Sequence, residues 1–357
     1  MAGAEGQAGA GRGQGAAEDR GAGQARQKTG IAEPADGSGA AAALKDLLAG
    51  HADWSVDPRK RWIATARRTA EGWEAAAPRP VGEVGTLFDR LLREAEGAPV
   101  ALGVDMPLGL PRAFAARHAG AADGFLQFLR GLAERPGFFE VCTTLDEVGP
   151  NRPFYPSRGL AGMTRAGHAA ALGLASAAAL SRACDRATPE RPAGAPLFWT
   201  LGANQSGKAA LHAWRTLLLP ALAGGRPPRL WPFEGALRDL LAPGRVVLAE
   251  TYPAEALRHL GLQLAGSKRR HADRVGLAAP LLAAMAALGV APDPALGVAI
   301  AAGFGVDAAG EDRLDCVLGL LCVINVLEGN RPDTAPEDVW VHRWEGWVLG
   351  QTAQPLA

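Results

Sequence analysis

Aromatic residues are scarce. Phe, Trp and Tyr make up only 6% of the 357 residues, and much of the 48% hydrophobic content is alanine. The long Ala/Gly/Arg tracts resemble a compositional bias, so alanine runs carry less structural weight than usual. Net charge is absent, with 37 basic side chains against 37 acidic ones. That excludes a protein that coats nucleic acid non-specifically, because such binding needs a basic surface; a local basic groove remains compatible. Cysteine is sparse, and Cys142, Cys184, Cys316 and Cys322 show no CxxC spacing. A disulfide framework and a structural zinc site are therefore not expected, and a reducing cytoplasm is the expected compartment. No run of about 18 apolar residues escapes charge and Gly/Pro breaks, so no membrane span is expected. The opening MAGAEGQAGAGRGQGAAEDR lacks the apolar segment of a signal peptide.

Residues 1–40 hold Gly, Ala, Gln and charge with almost no large apolar side chain. Such a segment cannot bury enough surface to offset its ordering entropy, so a disordered tail is expected there. Residues 41–357 read as one α/β domain. Strands are expected over 47–55 and 62–67, separated by the turn-like Asp57-Pro58-Arg59-Lys60. Val84, Leu87, Phe88, Leu91 and Leu92 have helical spacing within 81–96. Two continuous apolar runs, 99–105 and 245–249, fit buried parallel strands. Helices are expected around 113–134, 166–186, 254–260, 273–288 and 312–327, the last apolar nearly all round and so buried. Residues 112–240 read as a helical and loop-rich insertion.

Acids close the expected strands. Asp53 ends the first, Asp105 the run at 99–105, and Glu250 the run at 245–249. Asp315 enters the last helix, with Asp312 three residues earlier on the same face. In an open α/β sheet, ligands bind at the carboxyl ends of strands. Crowded carboxylates repel one another and are costly to bury unless cations neutralise them. An oxygen-only ligand set suits Mg2+ or Mn2+ rather than zinc, and a pair of such ions is a common device for cutting phosphodiesters. The competing expectation for each acid is a helix cap or turn, with Asp312 as the N-cap of its helix.

These residues also carry a resemblance. Asp53-Trp54-Ser55, then Val104-Asp105-Met106-Pro107-Leu108-Gly109-Leu110-Pro111, resemble the domain of unknown function 429, whose members are predicted nucleases of the ribonuclease H-like superfamily. Glu250-Thr251-Tyr252-Pro253-Ala254-Glu255-Ala256, Lys268-Arg269-Arg270, Asp312-Arg313-Leu314-Asp315-Cys316 and Glu345-Gly346-Trp347 follow in the same order as in that family. The resemblance implies a ribonuclease H-like mixed sheet flanked by helices, and an acidic metal site at Asp53, Asp105, Glu250 and Asp315, which Asp312 would complete. Two departures stand out: the first strand is poor in β-branched residues, and Cys316 stands where the family commonly has alanine. The activity implied is that of a metal-dependent phosphodiester hydrolase acting on nucleic acid or a nucleotide. The alternative on the same fold is a non-catalytic nucleic-acid or nucleotide-binding module.

Residues 202–209, Gly-Ala-Asn-Gln-Ser-Gly-Lys-Ala, nearly match a phosphate-binding loop after an expected strand at 197–201. Ala209 lacks the hydroxyl that would meet Mg2+, so a nucleotide-binding enzyme of that type is the weaker expectation, and Lys208 is instead a candidate phosphate contact. Lys268, Arg269 and Arg270 form a basic run suited to substrate phosphates, and Arg59-Lys60-Arg61 form a second run just after Asp53. The histidines show no paired metal-ligand spacing, and no serine sits in a G-x-S-x-G elbow. Trp340, Trp344 and Trp347 are expected to pack the C-terminal segment onto the core.

Overall fold

A computed structural model describes residues 46–202 and 206–356; the tail expected over 1–40 lies outside the described residues. Eight strands form one mixed sheet: β1 (Leu48–Asp53), β2 (Trp62–Thr69), β3 (Gly72–Ala75), β4 (Arg79–Pro80), β5 (Val100–Val104), β6 (Arg229–Leu230), β7 (Val246–Glu250) and β8 (Val290–Pro292). Their order is β6-β7-β5-β1-β2-β3-β8, with β4 on the side of β2. The strands β6, β7, β5 and β1 run parallel, β2 turns back antiparallel to β1, and β3 and β8 pair in parallel. The strand β1, which has no β-branched residue, is thus the sheet's middle. Strands on both sides satisfy its backbone, and this outweighs its weak propensity.

The helices are α1 (Leu87–Glu94), α2 (Arg112–His118), α3 (Phe125–Gly131), α4 (Arg165–Ala171), α5 (Ser206–Ala213), α6 (Leu219–Ala223), α7 (Leu237–Leu240), α8 (Pro253–His259), α9 (His271–Gly276), α10 (Ala278–Ala287), α11 (Pro294–Ala301) and α12 (Gly310–Leu327). Several expectations need correction. The helix expected over 81–96 is shorter and is entered by a single tight turn at Val84–Thr86. The helix expected over 113–134 is two helices, and only 166–171 of the stretch at 166–186 is α-helical. Residues 197–201 are not a strand; Trp199 makes one isolated bridge to Tyr155. Asp312 does not cap α12: the N-cap is Ala309, and Asp312 lies within the first turn.

Side-chain alternation sorts the sheet into two faces. Leu48, Ala52, Val100, Leu102, Val104, Val246 and Leu248 join one apolar core with Phe114, Phe125, Phe128 and Trp214 from the 112–240 region. Ala49, Ala101, Val247 and Ala249 join the other with α12. Every residue of α12 from Leu314 to Leu327 is buried.

The run of α12 against β1 is set by small residues. A Cβ on Gly319 would lie 2.2 Å from the His51 ring, and one on Gly103 would lie 2.7 Å from Val323. Cys316 lies near Asp53. Contacts 316 to 53 and 319 to 51 mean that α12 runs antiparallel to β1. Its N-terminal turn therefore stands at the carboxyl ends of β1 and β5, which is where the site forms.

Candidate functional site

Four aspartates lie on the α12 face within electrostatic reach of one another, although among the described residues no three of them bring ligand atoms within 4.8 Å. Asp53 ends β1 on the same face as His51, two residues back. Asp105 follows β5 on the face of Gly103 and Ala101. Asp312 and Asp315 come from the first turns of α12, whose positive N-terminal dipole favours anions. Their mutual influence is visible in their acidities. Burial, then Asp105, Asp315 and Asp312, raise the Asp53 carboxyl well above the ordinary range, against the pull of Lys268. Burial first, then the charge of Asp315, push Asp105 up to about 7. Burial pushes Asp312 up to about 6, with Lys60 opposing. The Oδ2 of Asp312 is buried without a hydrogen-bond partner. One cation already serves the cluster: Lys268 Nζ donates to both oxygens of Asp315 at 2.6 Å. Burial works against its charge, but Asp315 and Asp105 hold its pKa above the ordinary value.

Glu250, expected in the same cluster, stands at its edge: its charge still acts on Asp105, but its side chain leaves the sheet on the other face. It pairs in register with Val104, so it shares the face of Val104 and lies across the sheet from Asp105. By the same parity it is Thr251 that turns to the α12 side, where it meets the open face of Gly103. Glu250 is fully buried, and Arg182 grips it with two parallel bonds, Nη1 to Oε2 and Nη2 to Oε1, both 2.6 Å. Its Oε2 also accepts the Leu108 amide at 2.7 Å. Arg182 reaches further, to Asp185 through Nε and Nη2 at 2.9 Å and to the Leu108 and Glu345 carbonyls at 3.3 Å. Burial opposes the guanidinium's charge, but Asp185, Cys184 and Glu250 outweigh it and hold its pKa well above the ordinary value. Sequence reading missed Arg182, which sits in a loop with no motif; only its burial marks it.

The Arg182–Glu250 pair thus fixes the loop that follows Asp105. Two glycines let that loop approach the C-terminal segment: a Cβ on Gly109 would lie 2.1 Å from the Glu345 carbonyl oxygen, and one on Gly346 would lie 2.0 Å from that of Leu108. Trp344 and Trp347 are buried, as expected.

Cys184, Asp185 and Glu250 are buried with their ligand atoms within 4.8 Å of one another, a group that could hold a metal ion. The Arg182 guanidinium already supplies the positive charge those carboxylates need. Among the described residues no other three such groups approach so closely; the four aspartates are spread more widely around Lys268.

The basic run just before α9 divides. Lys268 belongs to Asp315, not to solvent. Arg270 pairs with Asp273 at 2.6 Å, and Arg269 is exposed, 3.6 Å from Glu311. Lys208, in the first turn of α5, faces a cleft of ≈ 710 Å3 lined also by Trp54, Ser55, Val56, Asp57, Pro58, Lys60 and Ala209. The residues 203–205 of the expected phosphate loop lie outside the described residues. Gly207, within it, has a packing reason: its Cβ would lie 2.0 Å from the Leu197 carbonyl oxygen.

Fold and site together define a mixed α/β protein with an acidic site at the carboxyl ends of parallel strands. A family model described as a protein of unknown function, DUF429, matches residues 55–339, and the chain belongs to that family. The match takes in Asp105, Lys268, Asp312 and Asp315, and begins two residues after Asp53. No curated protein and no solved structure matches the chain. Among the described residues no helix is long and apolar enough to cross a membrane.

Proposed function

We propose that this chain is a metal-dependent phosphodiester hydrolase of the ribonuclease H-like type, with Asp53, Asp105, Asp312 and Asp315 as the oxygen ligands of Mg2+ or Mn2+. The observation that carries this reading is the placement of the four carboxylates on one face at the strand ends, each with its acidity weakened first by burial. A protein holds such a cluster at a cost in stability unless a cation joins it. The donor chemistry suits a hard divalent ion, since every donor is a carboxylate oxygen and the Asp312 Oδ2 is buried without a partner; an ion would have to draw the four closer than they stand and displace Lys268 from Asp315. When bound, such an ion supplies an activated water and charge stabilisation for the leaving oxygen.

The chain's own groups have distinct tasks. Asp53 and Asp105, from adjacent parallel strands in register, form a rigid base. Asp312 and Asp315 close the site from the helix. Lys268 orients Asp315 and opposes the rise that burial gives its pKa. Arg182 and Glu250 act behind the site by pinning the loop that follows Asp105. Glu250 is therefore a positioning residue in this reading rather than a ligand.

The test is cleavage of end-labelled single-stranded and double-stranded DNA and RNA with Mg2+, with Mn2+ and with chelator. Metal-dependent cleavage lost by a factor of at least about 100 in Asp105→Asn and in Asp315→Asn is expected, the scale of losing metal-held transition-state stabilisation. Cleavage that survives both substitutions overturns the assignment.

A further inference from the structure

The cleft beside the aspartates has features that the carboxylate chemistry does not use. Its first wall is the segment after β1, Trp54 to Lys60, and its second is the first turn of α5. The first wall is held in shape from behind: Arg61 donates to the Ser55 and Val56 carbonyls at 2.6 Å, and its guanidinium lies 5.7 Å from the centre of the Trp54 ring. Each wall carries a lysine, Lys60 on one and Lys208 on the other. Among the described residues neither forms an ion pair with a carboxylate; Lys208 is half-buried and Lys60 exposed, and the charge of Lys60 acts on Asp57 and Asp312 from further off. The acid that lines the cleft, Asp57, is bonded by Arg59 at 3.1 and 2.8 Å, with Lys60 adding a weaker attraction. The cleft also has an apolar contact, since Val56 is 49% exposed. It adjoins the acidic site directly: Trp54 follows Asp53, and the charge of Lys60 reaches Asp312.

Two lysines without ion pairs that line one open cleft suit an anion, and the apolar lip suits one attached to an organic group. The volume falls in the range of small-molecule sites, about 300–1,000 Å3, and is far below what a duplex would need. We propose that this cleft is the subsite for a single nucleotide-sized phosphate ester, with Lys60 and Lys208 as its two phosphate contacts and Val56 against the organic part. The placement rests on the hydrolase reading, because it sets the ester next to the carboxylates; the binding itself can be measured without it.

The experiment is calorimetric titration of the full chain in chelator and low salt, with inorganic phosphate, adenosine, adenosine 5′-monophosphate and a short thymidine oligonucleotide. The monophosphate should bind and adenosine should not. Lys60→Met and Lys208→Met should each weaken monophosphate binding at least about tenfold, the scale of one charge-assisted hydrogen bond. Lys→Arg at either position should restore most of it. Arg226→Ala, which removes an exposed charge outside the cleft, should leave binding unchanged. An oligonucleotide that binds more tightly than the monophosphate assigns the ester to a strand end; equal affinity assigns it to a free nucleotide. Binding that ignores both lysine substitutions in variants with unchanged melting, or adenosine binding as well as its monophosphate, overturns the subsite. The two readings fail separately. Lysine-dependent binding without cleavage under any metal sinks the hydrolase and keeps the subsite. Cleavage lost in Asp105→Asn, with binding indifferent to the lysines, does the reverse.

Discussion

Two buried acids at the ends of neighbouring strands have opposite energetics. Glu250 is paired with a buried guanidinium and a backbone amide, so its charge is compensated. Asp105 has carboxylates for neighbours and only Lys268 in opposition. Removing the charge should therefore have opposite effects. Glu250→Gln leaves Arg182 with an incomplete set of partners and should cost about 3–5 kcal/mol of stability, the scale of breaking a buried pair. Asp105→Asn relieves repulsion and should leave the metal-free protein as stable as wild type or more so. Urea denaturation of both variants without metal decides the matter; a destabilised Asp105→Asn beside an unaffected Glu250→Gln would reverse the two assignments. The pH dependence has a definite sign. In the folded chain Asp105 binds its proton up to about pH 7, whereas the unfolded carboxyl releases it near 3.8. Between those values the native state holds the extra proton, so this group's contribution to stability falls as pH rises through that window. The advantage of Asp105→Asn over wild type, read as a difference in Tm without metal, should be near zero at pH 4 and grow to its full size above pH 7.

The long helix α12 is the element that makes the site. Its sequence reads plainly as a buried helix, but its register against β1 depends on one residue without a side chain. Helix propensity alone makes Gly319→Ala favourable by about 1 kcal/mol. Contact with the His51 ring opposes this, because the added carbon would lie 2.2 Å from it in a packed interior. Overpacking of that kind costs about 1–3 kcal/mol or more, so Gly319→Ala should lower stability and shift Asp312 and Asp315 away from the strands. His51→Ala opens the space, and the double variant should recover part of the loss. Stability measured across the four proteins of that cycle yields the coupling; a Gly319→Ala protein more stable than wild type would show that α12 does not lean on β1 there. His51 itself is held neutral by burial, its pKa lowered to about 3, which suits an apolar helix contact.

For the whole molecule, the proposed function makes the acidic cluster a cation-dependent clasp between the sheet and α12. A divalent ion that binds only the folded chain should stabilise it by about 2.7 kcal/mol at a hundredfold excess over its Kd. Protons compete for the same oxygens, so the rise in Tm on adding Mn2+ should be large at pH 8 and should shrink toward pH 5. An equal rise at both pH values, or an undiminished rise in a chain carrying Asp53→Asn, Asp105→Asn and Asp315→Asn together, would place the ion elsewhere, with Cys184, Asp185 and Glu250 as the next group to test.

The sequence alone determined the α/β class, the apolar strands before Asp105 and Glu250, the buried last helix, and the aspartates worth watching, because hydrophobic period and strand-end position are local properties of the chain. Tertiary structure decided the rest. It separated Glu250 from Asp105, since which face a strand-end residue occupies depends on its register with the neighbouring strand, and a shift of one residue changes the face. It assigned Lys268 to Asp315, and it brought Arg182 from a loop without a motif to the centre of the molecule. Charge pairing between residues far apart in the chain is settled by which faces meet and how much water they exclude, and local spacing encodes neither.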